Sequence, residues 1–571
     1  MVEWSCGKPM KAAVSSYVQE PLVVGDPEAE HWDDVADVVV VGFGGAGVVA
    51  ALQARESGAE VLAIDRFEGG GATALSGGIY YGGATRFQRE AGYEDTPELM
   101  YRYLKQEVGD TILDSTLRKF CNDSNSNLEW LMSHGVRFGS KLYTGKRSYP
   151  PAGYDLYFSG NEKVPSYQAH AAPAPRGHRT VGPKYTGHVL HARLRSSALE
   201  RHGVRLRTHS PVTRLIVDRQ GAVVGVEAHP IPPGSAAWKE HKKLITRVNT
   251  WQRYFVPQAL KTGRRVAEIE AAHVTPLRVR ARRGVVLTTG SFAFNREMVA
   301  HYAPKYREAM PLGTLGCDGS GVRLGQSVGG ATACMDSVTA WRSISPPITF
   351  VQGIVVNAQG QRFINEDAYL GHLGAAVANQ TEGRAWVIVD REAYRRSFRD
   401  TWPVRGESWQ EFGLPLLINL LSAPKGKTLE ELAARCGIAS GRLVPTVTEY
   451  NTDVVAGRDR LGKAKEYQRV LGEGPYYAID ISIGCKKYPC PSIPMGGLKV
   501  DEQTGHVTRA DLSRIEGLFA AGRTAMGIPS GFYVSGTSIA DCVFAGRRAG
   551  AHAAQSRTAA QLQSRPSAKA S

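Results

Sequence analysis

Asp37-Val38-Val39-Val40-Val41-Gly42-Phe43-Gly44-Gly45-Ala46-Gly47 is the stretch that decides the fold. A run of β-branched residues reads as a strand buried on both faces. The glycines then follow G-x-G-x-x-G. Gly42 permits the tight turn, Gly44 lets backbone approach a pyrophosphate, and Gly47 allows helix and strand to pack closely. Ala46 to Ser57 is helix-forming, and it aims N–H groups at the phosphates. Glu60-Val61-Leu62-Ala63-Ile64 reads as a second strand, ending at Asp65, 18 residues after Gly47, where an acid meets a ribose hydroxyl. One βαβ unit with all four parts in register predicts dinucleotide binding, with Gly45, Ala46 and Arg66 completing the site.

Three features favour FAD over NAD. The fingerprint lies near the amino terminus. A second glycine-rich run follows the acid at once, Gly69-Gly70-Gly71-Ala72-Thr73-Ala74-Leu75-Ser76-Gly77-Gly78. A distant element, Gly517-Leu518-Phe519-Ala520-Ala521-Gly522, is again strand-to-glycine. The predicted cofactor contacts therefore include Gly71, Ala72, Thr73, Ser76, Gly77 and Gly78. Further along the chain they include Gly522 and Arg523, and Ser538 and Ile539 at the start of an Ala-rich closing helix. Val212 opens a predicted hairpin (Arg214–Val217 and Val223–Val226), and Gly290 ends the run Val285-Val286-Leu287-Thr288-Thr289; both join the set.

A chain of 571 residues exceeds one compact core. The expected organisation is an arm over residues 1–34, then an FAD-binding domain in two parts, 35–302 and 478–553. A polar, basic insertion interrupts the first part at about 230–280. Residues 303–477 form a capping domain, where Thr428 and Glu431 have helix-capping spacing, and 554–571 is a disordered tail. The fold class is α/β: a Rossmann-like FAD-binding domain with an inserted α+β substrate-binding, capping domain. The net charge is +15. No zinc-finger spacing or RNP motif accompanies it, which argues against nucleic acid; the basic insertion could touch an anionic membrane surface. No run reaches the roughly 18 apolar residues needed to span a bilayer, so a cytoplasmic protein is expected. The eight cysteines show no metal or redox spacing, and no metal is expected.

The sequence resembles the fumarate reductase and 3-ketosteroid dehydrogenase flavoprotein superfamily. The likeness covers nearly the whole chain and is carried by Gly42–Gly47, Gly70–Gly78, Gly360-Gln361-Arg362-Phe363-Ile364-Asn365-Glu366, Pro494-Met495-Gly496-Gly497, Gly517–Gly522 and Gly536-Thr537-Ser538-Ile539-Ala540-Asp541. Fumarate reductases carry an arginine after the Asn-Glu pair, a histidine before the Met-Gly-Gly turn, and a further dicarboxylate-binding arginine. Here those places hold Glu366-Asp367-Ala368-Tyr369-Leu370-Gly371, Ser492-Ile493-Pro494, and Tyr533. A desolvated dianion without cations is expensive, so the dicarboxylate branch loses. Gly531-Phe532-Tyr533-Val534-Ser535-Gly536-Thr537-Ser538 is similar to the active-site loop of 3-ketosteroid Δ4-(5α)-dehydrogenases, as are Ser159-Gly160-Asn161-Glu162-Lys163 and Pro175-Arg176-Gly177-His178. The family attaches flavin through a histidine in some members; Gly70–Gly78 has none, so FAD is expected to be noncovalent.

The resemblance implies dehydrogenation next to a 3-keto group, with an apolar steroid as substrate and an external electron acceptor left open. Tyr533 is expected to be the base at C4, if its pKa is lowered from about 10. Ser535 and Tyr369 form its relay. Backbone N–H groups of the loop from Gly531 to Gly536 bind the developing enolate. His178 and His372 read as structural, Cys542 as buried, and Tyr80 and Tyr81 as packing or pocket wall. The alternatives are a Δ1-ketosteroid dehydrogenase, a flavin-dependent reductase of another enone or cyclic ketone, and a flavin-binding electron-transfer or regulatory subunit without enzyme activity.

Overall fold

A computed structural model describes residues 17–251, 256–401 and 413–556. The Val38–Val41 run lies at the centre of a nine-stranded sheet, 0–3% exposed. Four strands run parallel there in the order Leu277–Leu287, Asp34–Val41, Val61–Ile64 and Arg205–Arg207. Strand Leu277–Leu287 is longer than its apolar run suggested, because it serves two partners. Its first half pairs antiparallel with Val223–Ala228, and beyond an irregularity between Ala281 and Gly284 its second half also pairs with Arg514–Ala520. Val212–Val217 and Val223–Ala228 form the expected antiparallel hairpin.

The fingerprint helix, Gly45–Glu56, packs on the closing helix, Thr537–Gln555. Two glycines one helical turn apart make the approach possible: a side chain on Gly546 would meet the Ala46 carbonyl oxygen at 2.9 Å, and one on Gly550 would run into the Ala50 carbonyl.

Three regions differ from their sequence reading. Leu22–Val23, inside the expected arm, pairs with Ile216–Val217 as an edge strand. The closing helix continues to Gln555, and the expected tail lies otherwise almost wholly outside the described residues. The basic insertion is a pair of amphipathic helices, Ala236–Trp251 and Val256–Ala271, packed on each other. Their apolar spacing was masked by the abundance of Lys and Arg between the buried positions.

In the expected capping domain, the antiparallel strands Ile354–Asn357 and Ala385–Val389 are joined by Lys425–Gly426 and by Tyr476–Asp480, which runs past the expected boundary at 477. The helix Leu429–Cys436 packs beside them, and the Thr428 hydroxyl accepts the Glu431 N–H at its start. A second small sheet, not anticipated, combines Ile79–Tyr81, Gly177–Arg179, Leu156–Tyr157 and Leu142–Tyr143. In a parallel sheet ligands sit beyond the carboxyl ends of the strands. Here Val41, Ile64, Thr288 to Gly290 and Ala521, which end or follow four such strands, all line one cavity.

Candidate active site

One long cavity runs from Asp65 and Val212 at one end to Tyr369 and Tyr533 at the other. The dinucleotide end is built from Gly42, Gly44, Gly45 and Ala46. A Cβ on Gly44 would find no atom closer than 3.8 Å, so this backbone borders open space as a pyrophosphate cradle requires. Gly47 does not reach the cavity: a side chain there would run into the Gly42 carbonyl, so it serves helix–strand packing. The Gly-rich run lies alongside, with Gly71, Ala72, Thr73, Ser76, Gly77 and Gly78 all lining the wall. Thr73 Oγ1 accepts the Gly45 N–H at 3.2 Å. His191, which sequence reasoning missed, donates to the Phe43 carbonyl at 3.0 Å, and the Gly70 N–H meets the same oxygen at 2.8 Å. Burial holds the His191 ring neutral by pulling its pKa down to about 4.

Asp65 lines the cavity, but its carboxylate is also a backbone buckle. It accepts N–H bonds from Phe43 at 2.6 Å, Phe67 at 2.8 Å and Gly69 at 3.2 Å. Arg66 lines the cavity too, yet its guanidinium is engaged by protein: Glu270 takes Nε and Nη2 at 2.8 Å each, and Asp318 takes Nη1 at 2.8 Å. No sequence signal links Arg66 to an acid 204 residues away. Val212, Gly290, Arg523, Ser538 and Ile539 line the cavity, whereas Gly522 packs against Ala46 instead. Cys542, expected to be buried, is only partly so and faces the cavity.

The far end is apolar and aromatic. Tyr369, Ile493, Met495 and Tyr533 form one buried cluster, with Leu312, Trp341, Leu370 and Phe532 packed against it. Trp341 lies 5.8 Å from the Tyr533 ring, tilted by 32°. Tyr533, Ser535, Tyr369 and Gly536 all line the cavity. Gly531 does not; a side chain there would run into the Val108 backbone, so its N–H is not part of the cavity wall. Tyr369 is held by its backbone, its N–H donating to Asn161 Oδ1 at 2.6 Å.

Ser535 Oγ does meet a tyrosine hydroxyl, but an unforeseen one: Tyr157, at 3.0 Å. Tyr157 Oη also reaches the Ser148 carbonyl at 3.3 Å, and Ser148 borders the cavity. Burial raises the Tyr533 phenol above its usual range, opposed in part by the Gly536 N–H, the Arg523 charge and the Ser535 hydroxyl. That direction is opposite to the lowered pKa expected of a tyrosine base. Burial drives Tyr157 and Tyr369 well upward as well.

The remaining groups are structural. Tyr80 donates to the Ser124 carbonyl at 2.7 Å and Tyr81 to Glu162 at 3.4 Å, both off the cavity wall. His178 lies 2.8 Å from Thr85 Oγ1, and His372 lies 2.8 Å from Glu107 Oε2.

Comparison with known proteins decides what the dinucleotide end holds. The FAD binding domain family matches residues 37–539. This chain belongs to that family. A 3-oxo-5-alpha-steroid 4-dehydrogenase of Comamonas testosteroni is 38% identical over 518 residues, 88% of this chain and 96% of that protein. A 3-oxosteroid 1-dehydrogenase of Mycolicibacterium smegmatis is 26% identical over 554 residues, 86% of this chain and 92% of that one. Among solved structures, the 3-ketosteroid-delta4-(5alpha)-dehydrogenase of Rhodococcus jostii RHA1, in complex with 4-androstene-3,17-dione, has a TM-score of 0.77 at 31% identity, covering 94% of this chain and 99% of that one. The cofactor is FAD, and the cavity suits it. An open cradle at Gly44 and the amino terminus of the fingerprint helix lie at one end, and an apolar, aromatic chamber at the other.

Proposed function

We propose that the protein dehydrogenates a 3-ketosteroid between C4 and C5. The observation that carries this reading is the chamber around Tyr533: apolar walls, three hydroxyl-bearing residues, and little positive charge. Among the described residues, Arg66 and Arg523 are the cations lining the whole cavity, and Arg66 is held by two carboxylates. A fused, uncharged ring system fits such walls, whereas a dicarboxylate would be desolvated there with too few partners. The Comamonas and Rhodococcus relatives act on 3-keto-steroids, which supports the same substrate class.

FAD, when bound, supplies the acceptor for a hydride. The residues supply the acid–base part. Tyr533, kept protonated by burial, donates a hydrogen bond to the 3-keto oxygen and stabilises the enolate that forms as C4 loses its proton. The Gly536 N–H and the Arg523 charge hold that phenol and share the developing negative charge. The proton from C4 passes to Ser535 Oγ as Ser535 hands its own proton to Tyr157, whose own proton leaves along its hydrogen bond to the Ser148 carbonyl at the cavity border, and so to solvent. Tyr369 and Trp341 wall the ring system and exclude water from the enolate. With seven described cysteines free, we further place the protein in a reducing compartment, the cytoplasm.

Anaerobic mixing with a 5α-saturated 3-ketosteroid tests the reading. Bleaching of the flavin band should accompany formation of the 4-ene-3-ketone. A product unsaturated only at C1–C2, or no bleaching with any 3-ketosteroid, would overturn it.

A further inference from the structure

The helical hairpin from Ala236 to Ala271 is tied to the chain just after Asp65. Arg66 grips Glu270 with two hydrogen bonds of 2.8 Å. Glu270 also takes His241 at 3.1 Å, and His241 meets His209 at 2.8 Å. Lys242 pairs with Glu68 at 2.6 Å. Beneath these polar ties, Ile245, Val248, Val266 and Ile269 pack with Phe67 and Phe294 in one apolar cluster. Two of the segment's cations are paired at the surface, Lys242 with Glu68 and Arg265 with Glu240.

The consequence is that one face of the first helix becomes cavity wall. Ile245, Thr246 and Asn249 line the dinucleotide end beside Asp65, Glu68 and Val212. The Thr246 hydroxyl is satisfied within its helix by the Lys242 carbonyl. The Asn249 carboxamide makes no hydrogen bond among the described residues, and it is half-buried at the cavity's edge. In this fold the acid after the second strand marks the ribose, so the adenine lies next to it. An adenine edge offers one acceptor and one amino donor side by side, which a carboxamide matches with two hydrogen bonds.

We propose that the hairpin is a clasp over the adenosine end of FAD, and that Asn249 reads the adenine edge. It rests on the FAD site alone and holds whichever ketone is oxidised. The ion-paired base at Arg66–Glu270 fixes the helix, and Asn249 gives it an affinity for the nucleotide.

The test is release of FAD from the holoenzyme. Flavin fluorescence on serial dilution gives the dissociation constant, and added ADP, which carries the adenosine end alone, displaces FAD competitively. Asn249→Leu and Asn249→Asp are both expected to weaken FAD about tenfold, the order expected for lost hydrogen bonds to a ligand. ADP should weaken by the same factor, because both ligands lose the same contact. Melting of the flavin-free fraction should be unchanged, since the Asn249 carboxamide makes no hydrogen bond among the described residues. FAD and ADP constants within twofold of wild type in both variants would overturn the proposal. So would a loss for FAD without one for ADP. Failure of the wild type to bind FAD would instead strike the cofactor assignment.

Discussion

Tyr157 and Ser535 stand 378 positions apart and meet hydroxyl to hydroxyl at 3.0 Å. The small sheet positions both: Tyr157 pairs with Gly177 and Tyr143 there, and Gly536, next to Ser535, lies against Ile79 and Tyr81 of the same sheet. A serine hydroxyl has no driving force to take a proton unless it can pass one on, and in the proposed relay Tyr157 is the partner, with its own hydrogen bond to the Ser148 carbonyl leading onward. Tyr157→Phe removes one hydroxyl at a fully buried ring. We expect flavin content to be unchanged and the rate of flavin reduction by steroid to fall about tenfold, as for loss of one hydrogen bond in the transition state. A wild-type reduction rate would remove Tyr157 from the relay.

Tyr533→Phe should be more severe. A donor aimed at a developing oxyanion is worth about 10²–10³ in rate. Because only one hydroxyl goes, FAD and the fold should be retained, and steroid binding should weaken little. The pH profile separates donor from base. A phenol held protonated by burial gives no rise in rate with pH. A wild-type rate that climbs with pH, and loses that climb in Tyr533→Phe, would restore the base assignment.

The fingerprint was legible because its parts are local: strand, turn, helix, strand and acid occupy 29 consecutive residues, 37 to 65. The same locality let the loop around Tyr533 be read as a motif. What escaped is what depends on pairing across the chain. Arg66 lies where a cofactor contact was expected, but Glu270 and Asp318 claim its guanidinium. Gly531 belongs to the right loop, yet the Val108 backbone occupies its open side. Tyr157 sits in a two-residue strand too short to show periodicity. The direction of the Tyr533 shift depends on burial, which no residue spacing reports.

Gly44→Val and Gly47→Val should fail differently. The Gly44 position borders open cavity, so added methyls intrude on cofactor and not on protein. That variant is expected to fold, to melt near the flavin-free wild type, and to purify colourless. A side chain at Gly47 meets the Gly42 carbonyl and Thr288 Oγ1, the latter at 2.8 Å, and should compromise folding itself. Full flavin occupancy in Gly44→Val would mean that the nucleotide lies elsewhere.

FAD should leave the polypeptide on denaturation. Among the described residues no histidine lines the cavity, and the nearby His191 already donates to the Phe43 carbonyl. Acid precipitation should release all yellow colour to the supernatant. Colour in the pellet would point to a covalent bond, with Cys317 and Cys542 the thiols on the wall to be checked by peptide mapping.

Glu107 predicts a pH dependence of stability. Its side chain is fully enclosed behind the Tyr369 wall, where desolvation pushes its pKa up to about 8. The donors around it are too few to cancel that cost: Tyr103 gives 2.6 Å and Asn161 3.0 Å, both to Oε1, while His372 stands 2.8 Å from Oε2 and Glu162 adds like charge. The same Asn161 holds the Tyr369 N–H, so this carboxyl supports the steroid chamber from behind. Between the ordinary glutamate value of 4.5 and about 8 the folded state binds a proton that the unfolded state has released. The stabilisation is therefore fully present below about 4.5 and is lost as pH rises through about 8. Glu107→Gln copies the neutral acid, accepting at one atom and donating to His372 from the other, and it cannot ionise. Melting curves of both proteins from about pH 6 to about pH 9 should diverge, with the wild type falling faster. Parallel curves would mean that Glu107 keeps an ordinary carboxylate pKa in the folded protein, and that the wall behind Tyr369 is better solvated than this packing implies.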